Sequence, residues 1–252
     1  LVYFVIFSFV FVIFGSYDDI FNLNPLLKLL VLIIFFLILC FLDKNFVINY
    51  LYFYNISNNI NLGTLSIPFT IFCYISFTQA FNMYDGLDRQ ATILSTIILV
   101  YLLIVSNYIN LLLFIIIPLI FFLKINRRGM IFLGNNGSSF LSFVLAVMTI
   151  RASSQGLITV EEIILLFAIP GYELIRLFVL RIINKKNPFI GDLNHLHHLL
   201  ILKFNYIKTT IVTLSLTLLP LLGIFINLNI YFLMAIQLIS YIFLIKYVKS
   251  KK

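Results

Sequence analysis

Nine apolar stretches, separated by short polar or charged clusters, run the length of the chain: 1–16, 27–43, 64–82, 90–107, 109–123, 138–151, 161–180, 209–226 and 229–247. A helix crossing the hydrocarbon core of a bilayer needs roughly 20 predominantly apolar residues. The pattern therefore predicts nine transmembrane helices. The stretches share one composition, with no Gly/Ser-rich linker or low-complexity tail between them, so residues 1–252 read as a single membrane domain. The first stretch is short and lacks an initiating Met, so the chain is expected to begin inside a helix of a longer sequence. No cleavable signal pattern is visible in residues 1–252.

Composition agrees. A mean hydropathy of +1.12 with 10% charged residues and 28 Phe excludes an ordinary soluble domain. The expected fold is an all-α, polytopic membrane helix bundle. Cys40 and Cys73 lie in or near apolar spans and read as small core side chains rather than a disulfide or metal pair.

Charge orients the bundle. Threading the nine spans alternately places all of the 17 Lys and Arg on one side except Lys44 and Arg151. Positive residues mark cytoplasmic loops, so the basic side is expected to face the cytoplasm. The net charge of +8 then reflects topology and attraction to anionic lipid or phosphate, with no nucleic acid implied. Asp18, Asp19, Asp85, Asp88 and Asp192 fall at span ends or loops on that side, and Glu173 lies inside the seventh span towards it. Asp43, Glu161 and Glu162 fall on the other.

Four polar clusters emerge on the basic side: GSYDDIFNLNPLLKLL (15–30), AFNMYDGLDRQ (80–90), NRRGMIFLGNNGSSF (126–140) and NPFIGDLNHLHHLL (187–200). Their convergence predicts an active site at the bilayer surface. Each cluster also has a plainer reading. Asp18 and Asp19 would serve as a solvated helix end that caps the next span. Asp85 and Asp88 are three apart and would share a helical face, with Gly86 marking a tight turn or a close ligand. The glycines of GNNGSS, Gly137 followed by Ser138 and Ser139, offer backbone N–H groups to phosphate at a helix start, or a loop capped by Ser138 or Ser139. All 3 histidines of the chain fall at 195, 197 and 198, a spacing that one helical face cannot present together. With no thiolate or carboxylate at firm zinc spacing, His195, His197 and His198 beside Lys185 and Lys186 read as a grip for phosphate oxygens.

In this order, Asp-Asp after a helix, NMYDGLD, FLGNNGS after a basic loop and NPF…D…HLHHLL resemble the motifs of the polyprenyl-phosphate N-acetylhexosamine-1-phosphate transferases, relatives of the phospho-MurNAc-pentapeptide translocase. The resemblance spans roughly residues 15–200 by motif, and it implies one or two further helices upstream. It implies that the phosphate of a polyprenyl (undecaprenyl) phosphate attacks the β-phosphorus of a UDP-N-acetylhexosamine, releasing UMP. The lipid-diphosphate-sugar that remains starts a cell-surface polysaccharide such as O-antigen. Mg²⁺, or Mn²⁺ in its place, would shield the diphosphate. Asp18 and Asp19 would stand near the lipid phosphate, Asp85 near the metal and sugar phosphate, Asp88 near the uridine and Asn126 near the base. Asn82 and Asn135 would be metal ligands, and His195, His197 and His198 would grip the diphosphate and sugar. Glu173 and Arg181 occupy the places of an acid and a base eight apart in related chains. The implied setting is the bacterial cytoplasmic (inner) membrane, with a homodimer compatible.

Several positions depart from the family pattern. Gln79 stands at a common Asn, Arg89 and Ser142 at common Gly positions, and Leu193 at a common Arg. Asn135 stands where the family carries a metal-binding Asp. Two rival readings follow from other classes. A transporter of lipid-linked intermediates would place its charges at the membrane midplane, unlike the helix-end acids here. A non-catalytic scaffold would explain Asn135.

Overall fold

The computed structural model describes residues 2–87, 89–126, 133–187 and 194–250. Their helices are α1 (Val2–Phe21), α2 (Pro25–Leu42), α3 (Ser66–Tyr84), α4 (Gln90–Val105), α5 (Ile109–Asn126), α6 (Gly134–Ser154), α7 (Val160–Ile183), α8 (Leu196–Ile201), α9 (Tyr206–Phe225) and α10 (Ile230–Lys249). All but α8 coincide one for one with the predicted spans. Eight are long and apolar enough to cross a membrane, and α4, at 16 residues, is shorter.

The helix boundaries follow from their caps. Asn24 accepts the Leu26 N–H and is followed by Pro25, at a position where a missing N–H leaves no bond unmade. Thr159 and Glu162 form a reciprocal capping box on α7, while Asn205 and Asn229 cap α9 and α10. Two ends differ from expectation and matter for the site. Helix α1 continues to Phe21, so Asp18 and Asp19 occupy its last turns. Helix α6 begins at Gly134, so GNNG forms its first turn rather than a loop.

Helix α6 is the axis of the bundle. Its run from Leu141 to Ala152, apart from half-buried Arg151, is buried against α1, α3 and α4. Phe11 of α1 stacks on Phe143 of α6 at 4.4 Å, and Phe36 of α2 stacks on Tyr74 of α3 at 4.4 Å. These aromatic pairs lock the four helices together. The opposite faces of the outer helices expose Phe9, Ile13, Phe41, Phe114, Ile175 and Phe243. In hydrocarbon, such residues need no protein cover, so burial is reserved for small, polar and aromatic contacts. Gln237 of α10 illustrates this: its amide donates to the Leu165 carbonyl at 3.2 Å and the Leu216 carbonyl at 2.9 Å.

The expectation of an all-helical chain needs one addition. A hairpin of β1 (Tyr50–Phe53) and β2 (Ile56–Asn61) follows α2, pairing Tyr50 with Asn61 and Leu51 with Ile60. Beyond the spans the backbone can no longer satisfy itself within a helix, and this segment pairs with itself. Glu161 accepts the Tyr54 N–H, and Ser154 donates to the Asn45 carbonyl, fixing the hairpin to the starts and ends of α7 and α6. Arg151, one of the two cations on that side, is an internal strut. Its guanidinium lies 4.8 Å from the Tyr108 ring and its Nε donates to the Tyr108 hydroxyl.

Candidate active site

At the end of the bundle opposite the hairpin, α1, α3, α5, α7 and α10 finish and α2, α4, α6 and α9 begin. The polar residues of four separate stretches meet there. Helix α1 crosses the start of α6 at Gly15, where an added Cβ would lie 2.6 Å from the Asn136 Cα. That close crossing brings Ser16 Oγ to the Asn136 amide (2.8 Å) and Asp19 Oδ2 to the Asn136 N–H (3.3 Å). The adjacent acids thus part company. Asp18 is buried, pairs with Lys28 and accepts the Leu23 N–H at 3.1 Å. It braces the turn into α2. Asp19 stays exposed over the α6 start.

Ser138, expected as a cap or phosphate donor, is buried and donates to Asn82 Oδ1 at 2.9 Å. This bond ties the last turn of α3 to the first turn of α6. The expectation that Gly137 offers a free N–H is corrected: that N–H bonds the Leu133 carbonyl at 3.1 Å, because α6 starts earlier than the glycines suggested. Asn135 and Asn82 are both exposed at the same end. Asp85 follows α3 with ψ 65°, outside helical geometry. Asp85 therefore lies just past the end of α3 rather than on a helical face. Asp88 itself, the basic loop 127–132 and 188–193, with Asp192 and Leu193, lie outside the described residues. Asn126 is the buried last residue of α5.

The histidines converge although helical spacing alone would separate them. His195 precedes α8 in extended conformation, which lets its ring approach those of His197 (5.3 Å) and His198 (5.9 Å); His197 and His198 are 4.3 Å apart. The His197 imidazole lies over Gly86, occupying the place of a side chain there: a Cβ would come within 2.5 Å of Cε1 and closer to Nε2. Gly86 is thus the contact between the NMYDGLD turn and the histidine helix. Burial, with His198 and His195 adding to it, lowers the His197 pKa to about 3, so this imidazole is neutral near pH 7.

One further group, Asn136, escaped the sequence reading, and another, Glu173, was placed by it without its partners. Asn136 stood unremarked beside Asn135, yet it receives both contacts from α1. Glu173 accepts from Arg176, Tyr241 and the Leu196 N–H. A carboxylate inside an apolar span was the available signal, since such a group is costly in lipid and needs partners. Arg89 is in the left-handed region, φ 66°, a conformation natural to the glycine common there in the resembling family.

A multi-pass helical bundle with acids, amides and imidazoles gathered at one set of helix ends defines a membrane protein with its polar site at the bilayer edge. The chain belongs to glycosyl transferase family 4, whose model matches residues 1–153. It is 27% identical over 152 residues to a probable undecaprenyl-phosphate N-acetylglucosaminyl 1-phosphate transferase of Bacillus subtilis, covering 57% of this chain and 42% of that protein. It is 32% identical over 158 residues to an undecaprenyl-phosphate alpha-N-acetylglucosaminyl 1-phosphate transferase of Thermotoga maritima, covering 62% and 50%. A phospho-N-acetylmuramoyl-pentapeptide-transferase of Clostridium beijerinckii is 28% identical over 136 residues, 48% and 42% of the two chains. The chain spans half or less of the length of these relatives. The family match holds Asp18, Asp19, Asn82, Asp85, Asn126 and Asn135 and stops before the histidines.

Proposed function

We propose that the protein transfers N-acetylhexosamine-1-phosphate from a UDP-sugar to undecaprenyl phosphate, on the cytoplasmic face of a bacterial inner membrane, releasing UMP. The observation that carries this reading is the meeting of α1, α3 and α6 through Asp19–Asn136 and Asn82–Ser138. It sets an exposed carboxylate outside any described ion pair and two exposed amide side chains at one end of the bundle, where a lipid headgroup would lie. Asp19, unlike Asp18, is uncommitted to an ion pair and is the better group to orient or deprotonate the lipid phosphate.

No group of three His, Cys, Asp or Glu suited to a metal occurs among the described residues. The oxygens of Asn82, Asn135 and Asp85 nonetheless fit a hard cation. Mg²⁺ retains waters and relies on one or two carboxylates plus substrate phosphates. These residues would hold a Mg²⁺ that arrives with the UDP-sugar. When bound, the ion shields the diphosphate and stabilises charge on departing UMP. His195, His197 and His198 supply hydrogen bonds to phosphate oxygens, His197 as a neutral imidazole.

Membranes containing the full-length protein, undecaprenyl phosphate and a panel of UDP-sugars test this by UMP release. Release that requires both lipid and one UDP-N-acetylhexosamine is expected. No release with any sugar, from correctly inserted protein, would leave the scaffold reading in its place.

A further inference from the structure

We propose that Glu173, Arg176 and Tyr241 form a clamp that positions the histidines, so that α7 and α10 set the geometry of the phosphate grip. This rests on the transferase reading for its catalytic consequence alone. Glu173 is 2% exposed within α7. Its Oε1 accepts Arg176 Nε at 2.8 Å and the Tyr241 hydroxyl, and its Oε2 accepts Arg176 Nη2 at 2.9 Å and the Leu196 N–H at 2.7 Å. Arg176 Nη2 also donates to the Asn194 carbonyl at 2.7 Å, and its Nε reaches the Tyr241 hydroxyl at 3.0 Å.

The two backbone groups gripped, Asn194 C=O and Leu196 N–H, flank His195 on either side. Fixing both fixes the dihedrals of His195 and the start of α8, and through them the directions of the His195 and His197 rings. Leu196 N–H is one of the helix-start donors that no carbonyl of α8 can reach, so the carboxylate meets a real need. A buried charged pair within a span is expensive, and replacing such a pair with apolar residues is often neutral or stabilising. Its value here is therefore orientation. Tyr241 extends the clamp to α10: its ring packs 5.2 Å from that of Tyr172. The far side of the histidine helix is held by Gly86. The imidazoles are thus gripped between the α3–α4 turn and the α7–α10 pair.

The test uses diethyl pyrocarbonate on the protein in membranes, with modification of each histidine followed by mass spectrometry. His195 and His197 are buried and His198 half-buried, so His198 is the internal reference. Glu173→Gln and Tyr241→Phe are expected to raise labelling of His195 and His197 relative to His198 by about tenfold, the effect of losing a hydrogen bond to a charged group. Unchanged labelling in both would overturn the clamp. If Glu173→Gln does not accumulate, Tyr241→Phe, which removes one hydroxyl, decides alone. UMP release supplies a second arm. A positioning residue acts through the histidines, so Glu173→Gln should slow the parent but cost nothing further in a background carrying both His195→Ala and His197→Ala. Losses that multiply would show that Glu173 acts elsewhere and overturn the positioning role. Full turnover by His195→Ala would instead refute the histidines' part in transfer, leaving the clamp to be judged on labelling.

Discussion

Adding one methyl group at Gly86 tests whether the NMYDGLD turn and the histidine helix work as one unit. The backbone of Gly86 lies outside the positive-φ region, so only space opposes a side chain there. A Cβ would lie 2.5 Å from His197 Cε1 and 2.9 Å from Cδ2, against an optimal carbon separation of about 3.5 Å. The overlap of about 1 Å exceeds what side-chain adjustment can absorb, because the obstructing atoms are a buried ring flanked by two other imidazoles. His197 must swing away. Overpacking of this kind costs about 1–3 kcal/mol, equivalent to about 3–10 °C in the unfolding midpoint of a chain this size. Thermal unfolding in detergent, read beside UMP release, measures both consequences. Gly171→Ala is the control: it lies in α7 with no atom within 4 Å of the added Cβ, and Ala favours a helix by about 1 kcal/mol over Gly. We expect Gly86→Ala to lower both midpoint and turnover and Gly171→Ala to lower neither. A Gly86→Ala protein with parental midpoint and rate would refute the contact between turn and helix.

Three other outcomes follow. Arg89→Gly should stabilise the protein by about 0.5–1.5 kcal/mol: relief of left-handed strain, about 1–2 kcal/mol, outweighs a 5.9 Å cation–π contact with Tyr206 worth about 0.5 kcal/mol. Arg89→Ala keeps the strain and loses the contact, so calorimetry should show the opposite sign. The lowered His197 pKa, about 3 in the folded protein, means the unfolded chain takes up that proton first as pH falls below 6.5. Stability from this group is therefore full above pH 6.5 and declines towards pH 3 by up to about 1.4 kcal/mol per pH unit. His197→Gln should flatten that part of the unfolding profile; an unaltered slope would contradict the burial. Asn135→Asp should lower the Mg²⁺ concentration for half-maximal UMP release, since a charged oxygen replaces a neutral one. A magnesium titration with an unmoved midpoint would remove Asn135 from the metal site.

The class of molecule was legible in the chain because lipid imposes a one-dimensional rule: a span must be apolar for its whole length. All nine predicted stretches became helices, eight of them long and apolar enough to cross a membrane, while the sorting of charge needed the separate rule that positive residues favour one side. The motifs also named most of the polar residues gathered at one end of the bundle, since acids, amides and imidazoles stand out against an apolar background. What the sequence left open was decided by helices crossing in space. Which of Asp18 and Asp19 is held in an ion pair depends on Lys28, ten residues on, returning along α2 to claim the first. The bond of Asn136 to α1 requires the close crossing at Gly15. Gly137 lost its expected donor because α6 begins a turn earlier, with Asp19 satisfying the Asn136 N–H there. The hairpin at the other end went unread because its alternation is short and its anchor, Glu161, is 107 residues from Tyr54. Helical spacing argued that the three imidazoles would diverge. They meet because His195 lies just outside α8, held by Glu173 and Arg176 from a helix whose nearness to the loop no local pattern records.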